Sequence, residues 1–285
     1  MTTSKIAFQG EPGANSDAAC RDMYPAMEPL PCATFEDAFA AVETGKADLA
    51  MIPIENTIAG RVADIHHLLP ESRLYIVGEY FLPIHFSLMV LPGVKMEEIR
   101  SVHSHIHALG QCRKIIRRNR WKPVVAADTA GAARMLADEK ERSWAALAPP
   151  LAARLYGLDI LADDVEDAEN NVTRFVVLSK TKAWAPRTDR LMMTTFVFRV
   201  HNIPAALYKA MGGFATNGVN MTKLESYQLG GTFFATQFYA DIEGHPDDAN
   251  VAQALKELQF FSREVRILGV YDAHPFRLRQ KAADD

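Results

Sequence analysis

A chain of 285 residues has room for about two domains at roughly 150 residues each. Its 48% hydrophobic and 23% charged residues exclude a disordered chain, and no stretch approaches the ~18 uncharged apolar residues of a membrane helix. A net charge of −4, from 31 Lys+Arg against 35 Asp+Glu, argues against nucleic acid or an anionic membrane as partner, but leaves room for a local pocket for a small anion.

Strand and helix patterns alternate along the first part of the chain. Ile6–Phe8 reads as a strand closed by Gly10 and Pro12-Gly13, after which Ser16 is placed to cap a helix running to Tyr24. Phe35, Ala38, Phe39 and Val42 recur at helical spacing up to Gly45. Residues 48–54 form a buried-strand pattern running into Glu55-Asn56, and 62–69 reads as a helix stopped by Pro70. Residues 74–91 offer two strands broken near Pro83. A single amphipathic helix is predicted over 104–118, then a strand at 124–126 and a helix to Lys140 capped by Asp128-Thr129. A strand at 145–148, a helix at 150–156 ended by Gly157 and a strand at 172–178 complete an α/β pattern with a mainly parallel sheet.

Residues 180–189 are polar and contain Pro186, which marks a linker. Beyond it the predicted order is strand 194–200, helix 204–214, strands 219–227 and 232–242 turning at Gly230-Gly231, helix 247–261 and strand 265–271. This β-α-β-β-α-β order is the ferredoxin-like split βαβ motif, and it carries no catalytic constellation, so a binding or regulatory role is its default reading.

Cys20, Cys32 and Cys112 lack metal-ligand spacing and read as reduced thiols of a cytoplasmic protein; the N-terminus has no signal-peptide pattern. Four segments could carry chemistry. The loop Gly10–Ser16 offers backbone N–H groups at a helix start but lacks the P-loop Lys-Ser/Thr pair, so a plain strand–helix turn is favoured. Asn56 and Thr57 follow a strand at its carboxyl end, where α/β sheets bind ligands; they suit a carboxylate, or else cap the next helix. His103, His105 and His107 alternate, but helix-forming residues begin at once, so Ser104 at a helix N-terminus with Gln111 seven residues on is preferred to a metal site. Arg113, Lys114, Arg117, Arg118 and Arg120 read as a solvated helix end. Thr173 and Arg174 point to opposite faces of one strand. Together these are hydroxyls, amides and N–H groups suited to a small polyanion.

The stretches FQGEPGANSDAA, PIENTIAGRV, SHIHALGQC, AALAPPLAARLYGL, NNVTRFVVL and NMTKLES, in this order and spacing, resemble prephenate dehydratase over nearly the whole chain. The resemblance implies an α/β, two-lobed catalytic domain like a type 2 periplasmic binding protein over residues 1–182. Lobe 1 would hold about 1–80 and 170–182, and lobe 2 about 81–169. It implies that residues 190–285 form an ACT regulatory domain that binds L-phenylalanine as feedback inhibitor, in a homodimer or homotetramer. The implied reaction converts prephenate to phenylpyruvate, carbon dioxide and water, and aromatisation supplies its driving force, so neither cofactor nor metal is called for. By similarity Thr173 contacts the leaving hydroxyl. Ser104, Gln111, Glu55 and Asn56 are the other catalytic candidates, with Glu55 an acid or a structural partner. Asn15, Ser16, Thr57 and Arg174 are substrate-binding candidates, with Arg174 binding a carboxylate or bracing the lobes. Ala205, Ala206, Leu207, Glu225 and Ser226 would receive phenylalanine. The chain has His105-Ile106-His107 where the family often has HPQ, Asn15 where it often has Tyr, and Ala205 where Gly is common. Arogenate dehydratase and a non-catalytic amino-acid sensor are the competing readings.

Overall fold

A computed structural model describes residues 4–228 and 235–284. The chain opens with β1 (Lys5–Gln9), α1 (Asn15–Met23), β2 (Glu28–Cys32), α2 (Phe35–Glu43), β3 (Leu49–Asn56) and the short β4 (Gly60–Arg61). Next come α3 (Ala63–Glu71), β5 (Tyr75–Pro83), β6 (Ser87–Val90), β7 (Ser101–Ser104), α4 (Ile106–Gln111), α5 (Arg113–Asn119) and β8 (Lys122–Val125). They are followed by α6 (Thr129–Glu139), β9 (Trp144–Ala148), α7 (Pro150–Tyr156), β10 (Asp159–Ala162) and β11 (Val172–Ser179). The remainder is β12 (Met192–Val200), α8 (Ala206–Thr216), β13 (Met221–Gln228), β14 (Ala235–Glu243), α9 (Ala249–Phe261), β15 (Ser262–Asp272) and α10 (Pro275–Asp284). Two compact units result: residues 1–62 with 81–175, and residues 63–80 with 176–285.

In the first unit β1 pairs in parallel with β2 and β3, and β4 folds back on β3. Ile6, Ala7 and Phe8 are wholly buried, the continuous apolar run expected of a parallel strand covered on both faces. β2, which is not among the elements read from the sequence, contains Pro29 and Pro31; it lies at the end of its sheet, where a missing N–H is tolerated. A second sheet has the order β10-β6-β9-β7-β8, parallel at β7/β8 and β7/β9 and antiparallel at β6/β9 and β6/β10. Local signals set its helices: Asp128 accepts from Gly131 N at the start of α6, Pro150 opens α7, and Gly157 closes it at φ 66°.

The second unit has the strand order β13-β14-β12-β15-β5. β12 is antiparallel to both β14 and β15, and β13 to β14, so the split βαβ topology read from the sequence is present. The Gly230-Gly231 turn lies outside the described residues. Phe196, Phe198, Phe214, Val251 and Leu258 centre the core between this sheet and helices α8 and α9. β5 joins β15 in parallel at Ile76 and Gly269. A Cβ at Gly269 would lie 2.2 Å from the Ile76 carbonyl oxygen, so only glycine permits this approach.

Four local expectations are corrected. Pro70 does not stop α3, which runs on to Glu71 with the proline inside it. Ser16 does not cap α1; the cap position is Ala14, and the Asp17 carboxylate takes the Gly13 N–H at 2.8 Å. The single helix over 104–118 is two, α4 and α5, divided at Cys112, and the Asp167 carboxylate caps the second by accepting from Arg113 N and Lys114 N. Neither Asn56 nor Thr57 caps a helix: Asn56 closes the turn from β3 to β4, with Oδ1 accepting from Ile58 N and Ala59 N.

Candidate functional site

The carboxyl end of β3, the start of β11 and helix α4 meet within the first unit. Asn56 Nδ2 donates to Asn171 Oδ1 at 2.7 Å, to Thr173 Oγ1 at 2.9 Å and to Val172 O at 3.2 Å. Asn171 Nδ2 in turn donates to Gln111 Oε1 at 2.8 Å. Predicted residues from three separate segments are thus joined, Asn56 to Thr173 directly and Asn56 to Gln111 through Asn171. Because Thr173 Oγ1 accepts from Asn56, its own proton is left to point elsewhere.

Gln111 lines an open cleft of about 600 Å³ together with Ile58, Ile106, His107, Arg113 and Val125, among others. Arg113, read from the sequence as a solvated helix end, therefore brings a cation to this cleft. Its Nε donates to Gly110 O, and Asp167, which caps α5, also donates its backbone N–H to Gln111 O at 2.6 Å. No motif pointed to Asp167; the signal available was a carboxylate able to cap a helix from 54 residues away, and that is visible only in the fold.

Other predicted residues have different employment. Thr57 Oγ1 donates to Asn170 O at 2.7 Å and accepts from Val172 N at 2.9 Å, so its hydroxyl clasps the entry to β11. Ser104 is the last residue of β7, not a helix start; it is fully buried and donates to Leu147 O at 2.6 Å, tying β7 to β9. Arg174 is 2% exposed and pairs with Glu55 at 3.0 Å, which ties β11 to β3. Ser16 is buried, and Asn15 lines a different pocket of about 310 Å³ with Arg21, His85, Pro149 and Arg154. The glycine loop before them closes against α7: a Cβ at Gly13 would lie 2.9 Å from Ala152 Cα, and Tyr156 OH donates to Pro12 O.

The three alternating histidines diverge. His103 is buried, stacks on Trp144 and shares a hydrogen bond with Ser101, and burial pushes its pKa down. His105 caps α4 by accepting from His107 N; burial and the neighbouring His107 push its pKa down.

In the second unit Ala205 holds the cap position of α8 at φ 60°, Ala206 is buried in the core and Leu207 packs against it. On β13, Ser226 is exposed and Glu225 pairs with Lys223 at 3.3 Å.

The fold and the site define an α/β protein with an open, largely apolar-walled cleft, which Gln111 and Arg113 also line and which an amide chain through buried Asn171 reaches. The family model for prephenate dehydratase matches residues 6–183, and the chain belongs to this family. The bifunctional N-acyl-homoserine lactone acylase/prephenate dehydratase of Komagataeibacter europaeus is 53% identical over 272 residues, covering 95% of this chain and 97% of that protein. Arogenate dehydratase/prephenate dehydratase 1 of Arabidopsis thaliana is 39% identical over 281 residues, covering 94% of this chain and 71% of that one. Among solved structures, GqqA, described as a novel type of quorum quenching acylase, superposes with TM-score 0.91 at 52% identity over 96% of this chain and 99% of its own. Prephenate dehydratase from Arthrobacter aurescens in complex with L-Phe superposes with TM-score 0.87 at 33% identity, over 94% of this chain and 90% of its own. Dehydratases of prephenate or arogenate thus recur among the relatives, and the α/β fold read from the sequence is theirs.

Proposed function

We propose that this chain catalyses the decarboxylating dehydration of prephenate to phenylpyruvate, carbon dioxide and water, without a cofactor. Loss of one ring carboxylate as carbon dioxide pushes an electron pair into the ring, and the hydroxyl departs from the opposite carbon as the ring becomes aromatic. The enzyme has to hold a dianion and stabilise the leaving oxygen. The observation that carries the reading is Thr173: with Asn56 Nδ2 donating to its oxygen at 2.9 Å, its proton is the one left for the leaving hydroxyl. A threonine hydroxyl is a weak acid, so it acts as a positioned donor and not as a full proton source. Gln111 and Arg113 serve the carboxylates, Asn56 orients Thr173, and Ser104 supports the site from behind by anchoring the strand before α4.

Residues 1–182 form the catalytic part and residues 190–285 an ACT regulatory part in this reading, in a homodimer or homotetramer of the cytoplasm. L-Phenylalanine is its inhibitor, received by the 205–207 and 225–226 segments. The phenylalanine complex of the 33%-identical Arthrobacter protein supports the effector. The deciding assay follows phenylpyruvate formation from prephenate after chelator treatment, with and without phenylalanine, and repeats it with arogenate and its product phenylalanine. Turnover of prephenate is expected, falling as phenylalanine rises. Thr173→Ala should lower kcat about 10²- to 10³-fold with folding intact. No turnover of either substrate, with phenylalanine bound, would leave an amino-acid sensor; arogenate preferred over prephenate would move the assignment to arogenate dehydratase.

The apolar wall formed by Ile58, Ile106, Leu109, Pro123 and Val125 favours a second reading, that the same cleft accepts the acyl chain of an N-acyl-homoserine lactone, as the name of the Komagataeibacter relative suggests. Release of free homoserine lactone from a medium-chain substrate would support it, and its absence would remove it.

A further inference from the structure

We propose that Asn171 is a positioning residue that decides which atom Gln111 turns towards its cleft, and so makes that part of the cleft a hydrogen-bond donor; the inference deepens the dehydratase reading and rests on it. Backbone N–H groups only donate, and those of Ile58 and Ala59 lie 2.9 and 2.8 Å from one side-chain atom of Asn56, which must therefore be its oxygen. The Asn56 NH₂ then faces Asn171 at 2.7 Å, so Asn171 meets it with its oxygen. That turns the Asn171 NH₂ towards Gln111, which accepts through Oε1 at 2.8 Å and is left with its own NH₂ to offer. Reversing any one amide would set two oxygens or two NH₂ groups face to face at 2.7–2.8 Å.

Asn171 is 3% exposed, so water cannot mend such a mismatch cheaply. The main chain of Gln111 is held as well, by Asp167 N at 2.6 Å. A turn at one edge of the cleft, carrying Ile58 and Ala59, thereby dictates the chemistry offered by the α4 residue Gln111, and Asn171 is the link that transmits it. A dianionic substrate needs donors there. An amide oxygen in the same place would repel a carboxylate in the bound state and in the transition state alike, which shows in KM.

Three variants separate the two ends of Asn171. Asn171→Asp keeps the acceptor that Asn56 uses but cannot donate, so Gln111 turns to donate to the new carboxylate and shows its oxygen to the cleft. KM for prephenate should rise on the order of 10- to 100-fold with kcat within about threefold of the parent. Asn171→Ala removes both ends, frees Asn56 and through it Thr173, and should lower kcat as well as raise KM. Gln111→Glu still offers Asn171 an acceptor, so its melting temperature should stay within about 2 °C of the parent. If the amides ran the other way, that carboxylate would face an oxygen of Asn171 and melting would fall by more than about 5 °C. An unchanged KM in Asn171→Asp, or that melting loss in Gln111→Glu, overturns the proposal. Should the parent turn over neither prephenate nor arogenate, the dehydratase reading fails, and the melting of Gln111→Glu still decides the polarity of the chain.

Discussion

Thr57 and Thr173 are the same residue type, and their hydrogen bonds make them different reagents. Thr57 uses its proton on Asn170 O and its oxygen on Val172 N, whereas Thr173 receives a proton from Asn56 and keeps its own. The cysteines are a second case in which surroundings decide chemistry. Burial first, then the carboxylates of Glu166 and Asp167, push the Cys112 thiol up to about 12; burial and then Asp17 push Cys20 up, and burial and then Asp37 push Cys32 up. The thiolate is the reactive form, so little of it exists near neutral pH. Titration of the native protein with Ellman's reagent at pH 8 should therefore modify at most the half-buried Cys32 quickly, and all three thiols only in denaturant. Fast reaction of Cys20 or Cys112 in the native protein would contradict this.

Helix ends show the same dependence at the next scale. Asp128 caps α6 from within the sequence motif that announced it, but α5 is capped by Asp167, far along the chain. The start of α8 is a residual strain: Ala205 sits at φ 60°, ψ 16°, a left-handed conformation that costs an L-residue with a Cβ on the order of 1–2 kcal/mol. This backbone angle gives a conformational reason for the Gly that the family resemblance puts at this position. Ala205→Gly should raise stability by about 0.5 kcal/mol, after the extra freedom of glycine in the unfolded chain is set against the relief. A urea transition moving to lower concentration at unchanged slope would refute that.

At the scale of the second unit, α10 is fastened by one buried ion pair. Arg277 donates through Nε and Nη2 to the two oxygens of Glu79 on β5, at 2.7 and 2.9 Å, and His274 N adds a third donor at 3.1 Å. The Glu79 side chain is wholly buried and that of Arg277 is 14% exposed, so solvent screens the pair little. Removing one partner strands a buried charge: Arg277→Ala should cost about 3 kcal/mol in urea unfolding, and Arg277→Lys less than that, since a lysine keeps the charge but not the two-point contact. A loss under about 1 kcal/mol for Arg277→Ala would mean that the carboxylate finds other support.

The sequence alone determined the local rhythm. Apolar period, proline and glycine placement and the Asp128 cap were enough for the α/β part and for the β-α-β-β-α-β tail, because such signals act within a few residues of one another. The ordered motifs also identified the family. What the tertiary structure decided is which polar atoms remain available. Ser104, Thr57, Glu55 and Arg174 all looked like ligand groups in one dimension, yet each is engaged by a partner 43 to 119 residues away in sequence. Asn171, which no spacing in the sequence singles out, is the link between Asn56 and Gln111. A hydrogen bond satisfied inside the fold removes a donor or acceptor from chemistry, and no sequence spacing records with whom it is made.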